Sequence, residues 1–135
     1  MNTPPSKVLI IDSHKPVGEL IAAILRSAGL LTLTSYNITQ SLAHLEAGKF
    51  DFVFADYQTT RNRESPIASL LLAKIKAQNP AVQIVIMSDN FPDGHMCGYP
   101  FLPKPFTYRE LLGKCGLLKP EGLPRVIVKN AALAL

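Results

Sequence analysis

Continuous aliphatic runs that each end at a polar residue are the feature of this 135-residue sequence that most limits its fold. The runs and the polar residues that follow them are Lys7–Ile11 with Asp12, 50–55 with Asp56, and 82–87 with Ser88. Apolar runs without polar alternation are typical of strands in a parallel sheet that is covered on both faces. The sequence therefore predicts a parallel sheet at the centre of the molecule.

Helical patterns separate the strands. Apolar residues recur at three- and four-residue spacing from Val17 to Ala28, and a shorter helix is predicted over 39–49. A third helix, capped by Ser65, places Ile67, Leu70, Leu71 and Ile75 on one face, and a capping box at Thr107 starts a last helix that ends near Cys115. With further strands at 30–35 and 99–102, the chain is predicted to be α/β with a five-stranded parallel sheet.

Two segments depart from this alternation. Residues 89–98 contain Pro92, two glycines and no helical period, so the fourth helix is predicted to be shortened or missing. Residues 119–135 contain Pro120 and Gly122 near their start and are predicted to be a C-terminal tail or linker after a single domain over 6–118. Within the tail, the β-branched run 123–128 is a candidate edge strand.

Composition and charge limit the class of protein. No apolar stretch approaches the ~20 residues of a membrane span, and two cysteines without a signal peptide indicate a cytoplasmic protein. Of the formal net charge of +4, residues 1–106 carry +1 and residues 107–135 carry +3. The basic tail lacks the interleaved aromatic residues on which bases stack, so the charge pattern does not favour nucleic acid as a partner for this domain alone.

Four polar residues fall where the predicted parallel strands end. Asp12, Asp56, Ser88 and Lys104 each follow an aliphatic strand, and ligands of open α/β sheets bind at that edge. Two carboxylates favour a hard cation such as Mg²⁺, and a lysine with a hydroxyl can bind a phosphoryl group. Each residue alone has a simpler interpretation as a helix cap or turn former.

In these segments the sequence resembles the receiver domain of two-component response regulators over about residues 6–118. The motifs, in order, are KVLIIDS, DFVFAD, VQIVIMS and FLPKPF. The resemblance implies a flavodoxin-like strand order of 2-1-3-4-5, with Asp56 accepting a phosphoryl group from a histidine kinase or phosphotransfer protein. The site residues it implies are Asp12, Asp56 and the Gln58 backbone as Mg²⁺ ligands, Ser88 and Phe101 as switch residues, Lys104 as phosphoryl contact, and Pro105 after a cis peptide bond.

The sequence also departs from the family pattern. Ser13 stands where the family has a second acid that binds the metal directly, so Mg²⁺ binding is expected to be weak. Asp89 replaces a small residue next to the phosphoryl site, and the loop 57–64 lacks the usual Met-Pro and later Gly.

These departures leave alternatives open. The first is a pseudo-receiver that keeps the fold but takes no phosphoryl group, and acts only as an interaction module. The second is a phosphohydrolase of the haloacid dehalogenase type, but His14 stands where that family has a second aspartate. The receiver interpretation implies no enzyme activity beyond slow self-dephosphorylation, and a downstream protein or a second copy of the chain as partner.

Overall fold

A computed structural model of the protein describes residues 6–60, 67–88, 99–116, 127–128 and 133–134. The strands of the main sheet are β1 (Lys7–Ile11), β2 (Leu31–Ser35), β3 (Phe52–Asp56), β4 (Gln83–Ser88) and β5 (Phe101–Pro103). The helices are α1 (Lys15–Ser27), α2 (Ile38–Ala47), α3 (Tyr57–Thr60), α4 (Ile67–Gln78) and α5 (Tyr108–Lys114). A second, small sheet contains β6 (Phe106–Thr107), β7 (Ile127–Val128) and β8 (Leu133–Ala134).

The main sheet is parallel throughout, with strand order β2-β1-β3-β4-β5. This confirms the predicted α/β class, the five parallel strands and the order 2-1-3-4-5. The register pairs Asp56 with Met87 and Ser88 with Pro103. The carboxyl ends of β3, β4 and β5 therefore lie side by side at one edge of the sheet.

Successive residues of each strand point to opposite faces, and each face has its own apolar core. Val8, Ile10, Phe54 and Met87 pack with residues of α1 and α5 in one cluster. Leu9, Ile11, Val53 and Ile86 belong to a second cluster that includes residues of α2 and α4. The central strands are buried on both sides, which explains why their sequences contain no polar alternation.

The structure corrects two local predictions. Residues Tyr57–Thr60 form the short helix α3, where the sequence predicted a loop. Leu70 is 61% exposed, although its spacing placed it on the buried face of the third helix. The buried side of α4 carries Leu71 and Ile75 instead, and Leu70 lies about 100° around the helix from Leu71.

Other predicted elements shift by a residue or two. The fifth strand is Phe101–Pro103 instead of 99–102. The capping box of α5 is present: the Thr107 side chain accepts from the Glu110 backbone N–H, and the Glu110 side chain accepts from the Thr107 backbone N–H. The segment 89–98, where the sequence predicted a shortened or missing fourth helix, and the Ser65 cap lie outside the described residues.

The C-terminal strands pair with the domain through backbone hydrogen bonds. β7 is antiparallel to β6, with Phe106 opposite Val128 and Thr107 opposite Ile127, and β8 is antiparallel to β7. Within the run 123–128, where the sequence predicted an edge strand, Ile127–Val128 form a strand, but it is the central strand of the small sheet; residues 123–126 lie outside the described residues. Among the helices that the structure describes, none has the length and apolar character needed to cross a membrane.

Candidate functional site

Four polar side chains are buried together at the carboxyl edge of the main sheet. Asp12 is fully buried, Asp56 is 4% exposed, Ser88 is 1% exposed and Lys104 is 7% exposed. Charged residues are rarely buried to this degree unless they are paired. The burial of three charged side chains at one sheet edge marks this edge as the candidate site.

The Lys104 ammonium group joins the two carboxylates. Its Nζ atom donates to Asp12 Oδ2 at 2.8 Å and to Asp56 Oδ1 at 3.0 Å. Burial lowers the pKa of Lys104, but its hydrogen bond to Asp12 and the charges of Asp12 and Asp56 raise it, and the net pKa lies above the ordinary value of 10.5. The lysine is therefore positively charged at neutral pH and balances one of the two negative charges.

The end of β5 positions this lysine. The Lys104 backbone N–H donates to the Ser88 carbonyl oxygen at 2.7 Å, which continues the pairing of β4 with β5. The Lys104–Pro105 peptide bond is cis, the isomer that the family resemblance implies. Sequence positions 88 and 104 are thus held together by the backbone at the edge where Asp12 and Asp56 lie.

The turn into α1 holds Asp12. The Asp12 backbone N–H donates to the Ser35 carbonyl oxygen at 2.9 Å, and Asp12 Oδ1 accepts from the His14 backbone N–H at 2.9 Å. A hydrogen bond that an aspartate side chain accepts from the backbone N–H two residues later forms an Asx-turn. The His14 ring also lies against the carboxylate, with Nδ1 3.3 Å from Asp12 Oδ1.

The helix α3 holds the other oxygen of Asp56. Asp56 Oδ2 accepts from the Thr59 backbone N–H at 2.9 Å and from the Thr59 hydroxyl at 2.8 Å. The Ser13 backbone N–H donates to Thr59 Oγ1 at 2.9 Å, and the Ser13 and Thr59 hydroxyl oxygens lie 3.2 Å apart. Asp56 is therefore fixed on one side by Lys104 and on the other by Thr59, which also connects it to the loop after β1.

The oxygen atoms at this site suit a hard cation, although only two of the side chains that supply them, Asp12 and Asp56, are negatively charged. Among the residues described, no group of three or more His, Cys, Asp or Glu side chains has the arrangement of a metal site. Mg²⁺ commonly binds through one or two carboxylates together with the phosphate oxygens of a substrate. Asp12 and Asp56 meet that minimum, and Ser13 contributes a neutral hydroxyl where a third charge would strengthen binding.

The remaining predicted residues lie around this cluster. Phe101 is half-buried and packs against the core that faces α2 and α4. Gln58 lies within α3, two residues after Asp56. Its role as a backbone metal ligand, and the switch roles of Ser88 and Phe101, stay predictions.

Two contacts were missed by the sequence analysis, Thr59 on Asp56 and the His14 ring on Asp12. Both had a signal in the spacing. An aspartate three residues before a threonine has the N-cap geometry in which the carboxylate accepts from the N3 backbone N–H. An aspartate at the end of a strand can form an Asx-turn with the backbone N–H two residues later, which brings residue 14 next to Asp12.

The fold and the site geometry can now be compared with known proteins. No family model matches the chain. A receiver domain protein from Methanospirillum hungatei has a TM-score of 0.70 and 19% identity, with 83% of this chain and 91% of that chain covered. Chemotaxis response regulator CheY4 of Vibrio cholerae has a TM-score of 0.69 and 20% identity, with 83% and 97% covered.

A response regulator from Burkholderia pseudomallei, solved with a phosphorylated aspartic acid, a calcium ion and citrate, has a TM-score of 0.69 and 20% identity. The match covers 81% of this chain and 65% of that protein's length. The chain has the receiver-domain fold. The receiver fold places the carboxyl ends of β1, β3, β4 and β5 at one edge, where the buried cluster of this chain lies.

Proposed function

We propose that this chain is a receiver domain that accepts a phosphoryl group on Asp56 and then signals by binding a downstream protein. The observation that carries the proposal is the buried Lys104 ammonium group shared between Asp12 and Asp56. Removing charged groups from water is costly, and a pre-formed cation beside a carboxylate is suited to stabilising the additional charge of a phosphoryl group. The donor we propose is a phosphohistidine of a histidine kinase or a phosphotransfer protein.

The transfer is a displacement at phosphorus. An oxygen of the Asp56 carboxylate forms a bond to phosphorus, the bond from phosphorus to the donor group breaks, and the donor group leaves with that electron pair. Lys104 then moves its hydrogen bonds from the carboxylates to the phosphoryl oxygens. The Ser88 hydroxyl, at the end of the neighbouring strand, donates to the same phosphoryl group. Phe101 is the second switch residue, and its side chain changes position when Ser88 moves.

A divalent cation, Mg²⁺ in our proposal, would be held by Asp12, Asp56 and the Gln58 backbone. When bound it would neutralise part of the charge that gathers on the transferring group. The donor set has only two carboxylates, since residue 13 is Ser. We therefore expect the cation to bind weakly in the absence of phosphoryl oxygens.

The protein is proposed to act by association, in the cytoplasm, and to catalyse no reaction beyond slow loss of its own phosphoryl group. The partners are the phosphodonor protein, a downstream protein and, as one option for signalling, a second copy of the chain. Cys115 is a free, buried thiol, and its burial raises its pKa to about 12. Such a thiol is inert, which agrees with the absence of any role for Cys115 in the proposed function.

Incubation with acetyl phosphate and Mg²⁺ tests the proposal. The wild-type protein should gain the mass of one phosphoryl group, and the adduct should be lost in base and with hydroxylamine, as expected for an acyl phosphate. Asp56→Asn should abolish the gain. Asp51→Asn is the matched control, because Asp51 is exposed and its contact is with the Lys7 backbone. An unmodified wild-type protein at excess donor and cation would favour the pseudo-receiver.

A further inference from the structure

The hydroxyl group of Thr59 connects the two segments between which a cation would have to bind. It donates to Asp56 Oδ2 at 2.8 Å and accepts from the Ser13 backbone N–H at 2.9 Å. Ser13 Oγ lies 3.2 Å away. The side chain of Thr59 is thus hydrogen-bonded both to Asp56 and to the loop after β1.

The hydroxyl of Thr59 has three partners on these two segments. A hydroxyl has one hydrogen to donate and two lone pairs that accept. The hydrogen goes to the charged carboxylate, which is the shortest contact and the strongest type. The backbone N–H of Ser13 uses one lone pair, and Ser13 Oγ is a second, more distant acceptor for the hydroxyl hydrogen at 3.2 Å.

We propose that Thr59 is a positioning residue that competes with the divalent cation for Asp56 Oδ2 and Ser13. While the Thr59 hydroxyl is bound to Asp56 Oδ2 and Ser13 Oγ, these two oxygens are directed towards it and are less available as ligands of a cation. We call the contacts of the Thr59 hydroxyl with Asp56 and Ser13 the Thr59 latch. These contacts must break before the cation binds, and the free energy needed to break them lowers the apparent affinity for the cation. The inference rests on the proposed function only in assuming that a cation acts at this site.

Thr59→Val tests the latch, because valine keeps the shape and the backbone N–H but removes the hydroxyl. A hydrogen bond to a charged group contributes enough that its loss should tighten Mg²⁺ binding by about tenfold. Thr59→Ser keeps the hydroxyl and should retain the wild-type affinity. Thr39→Val is the matched control, because Thr39 is an exposed residue of α2 far from the site in sequence. Isothermal titration with MgCl₂ measures all four proteins.

Amide hydrogen exchange at Ser13 gives a second readout, and its response to Mg²⁺ is one that a merely structural role of Thr59 would not produce. The Ser13 N–H is bound to the Thr59 hydroxyl in the closed latch, so Thr59→Val should speed its exchange. Saturating Mg²⁺ should speed the same exchange in the wild-type protein, because the cation displaces the hydroxyl. Neither measurement depends on phosphorylation of Asp56.

Equal Mg²⁺ affinities for wild-type and Thr59→Val, or tighter binding by Thr59→Ser as well, would overturn the proposal. Failure of both wild-type and Thr59→Val to bind Mg²⁺ at any concentration used would also overturn it. If Thr59→Val binds more tightly while Asp56 takes no phosphoryl group, the latch stands and the proposed phosphoacceptor function fails. If Asp56 is phosphorylated and the affinities are equal, the function stands and the latch fails.

Discussion

Replacing Lys104 with methionine removes the cation that neutralises two buried carboxylates. The ammonium side chain is 3% exposed, and the Asp12 and Asp56 side chains are 0% and 6% exposed. Methionine retains the length and apolar stem of lysine but leaves both negative charges in the protein interior. Breaking a buried ion pair from one side costs about 3–5 kcal/mol of folding free energy.

This loss is a large part of the whole stability, since a domain of this kind is stable by only about 5–15 kcal/mol. We therefore expect Lys104→Met to lower the melting temperature by about 10–20 °C at pH 7. Lys74→Met, at an exposed position of α4, should change it little. Thermal unfolding followed by circular dichroism measures both variants against the wild-type protein.

The dependence on pH has a definite sign. The folded-state pKa of Lys104 lies above the ordinary value of 10.5, so the stability that this group contributes is fully present below about pH 10.5. It is lost as the pH rises through the higher folded-state pKa. The difference between wild-type and Lys104→Met should accordingly be large at pH 7 to 10 and shrink in stronger base.

A second substitution identifies the cause of the loss. Asp12→Asn removes one of the two charges but keeps an oxygen that accepts from the His14 backbone N–H. Adding it to Lys104→Met should restore part of the stability, since only one unpaired carboxylate then remains. A Lys104→Met protein as stable as the wild-type, or a double variant that recovers nothing, would refute the charge-balance argument.

Three further predictions concern the cation, a helix cap and the tail. Ser13→Asp should tighten Mg²⁺ binding by about tenfold or more, because it adds a charged ligand; titration curves that superimpose would contradict this. Thr107→Ala should cost about 1 kcal/mol in urea unfolding through loss of the α5 capping box, and an unchanged unfolding midpoint would refute it. Removal of residues 119–135 should leave the main sheet folded, because β7 and β8 belong to the small sheet with β6 and not to the main sheet; a large fall in the melting temperature would show that the tail belongs to the core.

The sheet and most of the buried cluster were predictable because they follow from periodicity. An apolar run of five residues with a polar residue at its end specifies both a buried strand and the position of that residue at the sheet edge. Asp12, Asp56 and Ser88 are located in this way. The position of Lys104 follows from the next strand, and all four residues lie at one edge because the strands are parallel.

Contacts that depend on the path of a loop were harder to predict. The segment after Asp56 has no proline, glycine or apolar period that indicates its conformation, and the short helix α3 brings Thr59 onto the carboxylate. Leu70 was misplaced for a related reason. Four apolar residues in one helix were compatible with two adjacent stripes, and packing against the sheet selected the stripe that contains Leu71 and Ile75.

The central claim is that Asp56, and not its neighbour Asp12, accepts the phosphoryl group. Borohydride reduces an aspartyl phosphate to homoserine and so marks the acceptor residue permanently. After incubation with acetyl phosphate and Mg²⁺, peptide sequencing by mass spectrometry should find homoserine at position 56 and aspartate at position 12. Homoserine at position 12, or at neither position in a protein that has been exposed to excess donor, would contradict the account.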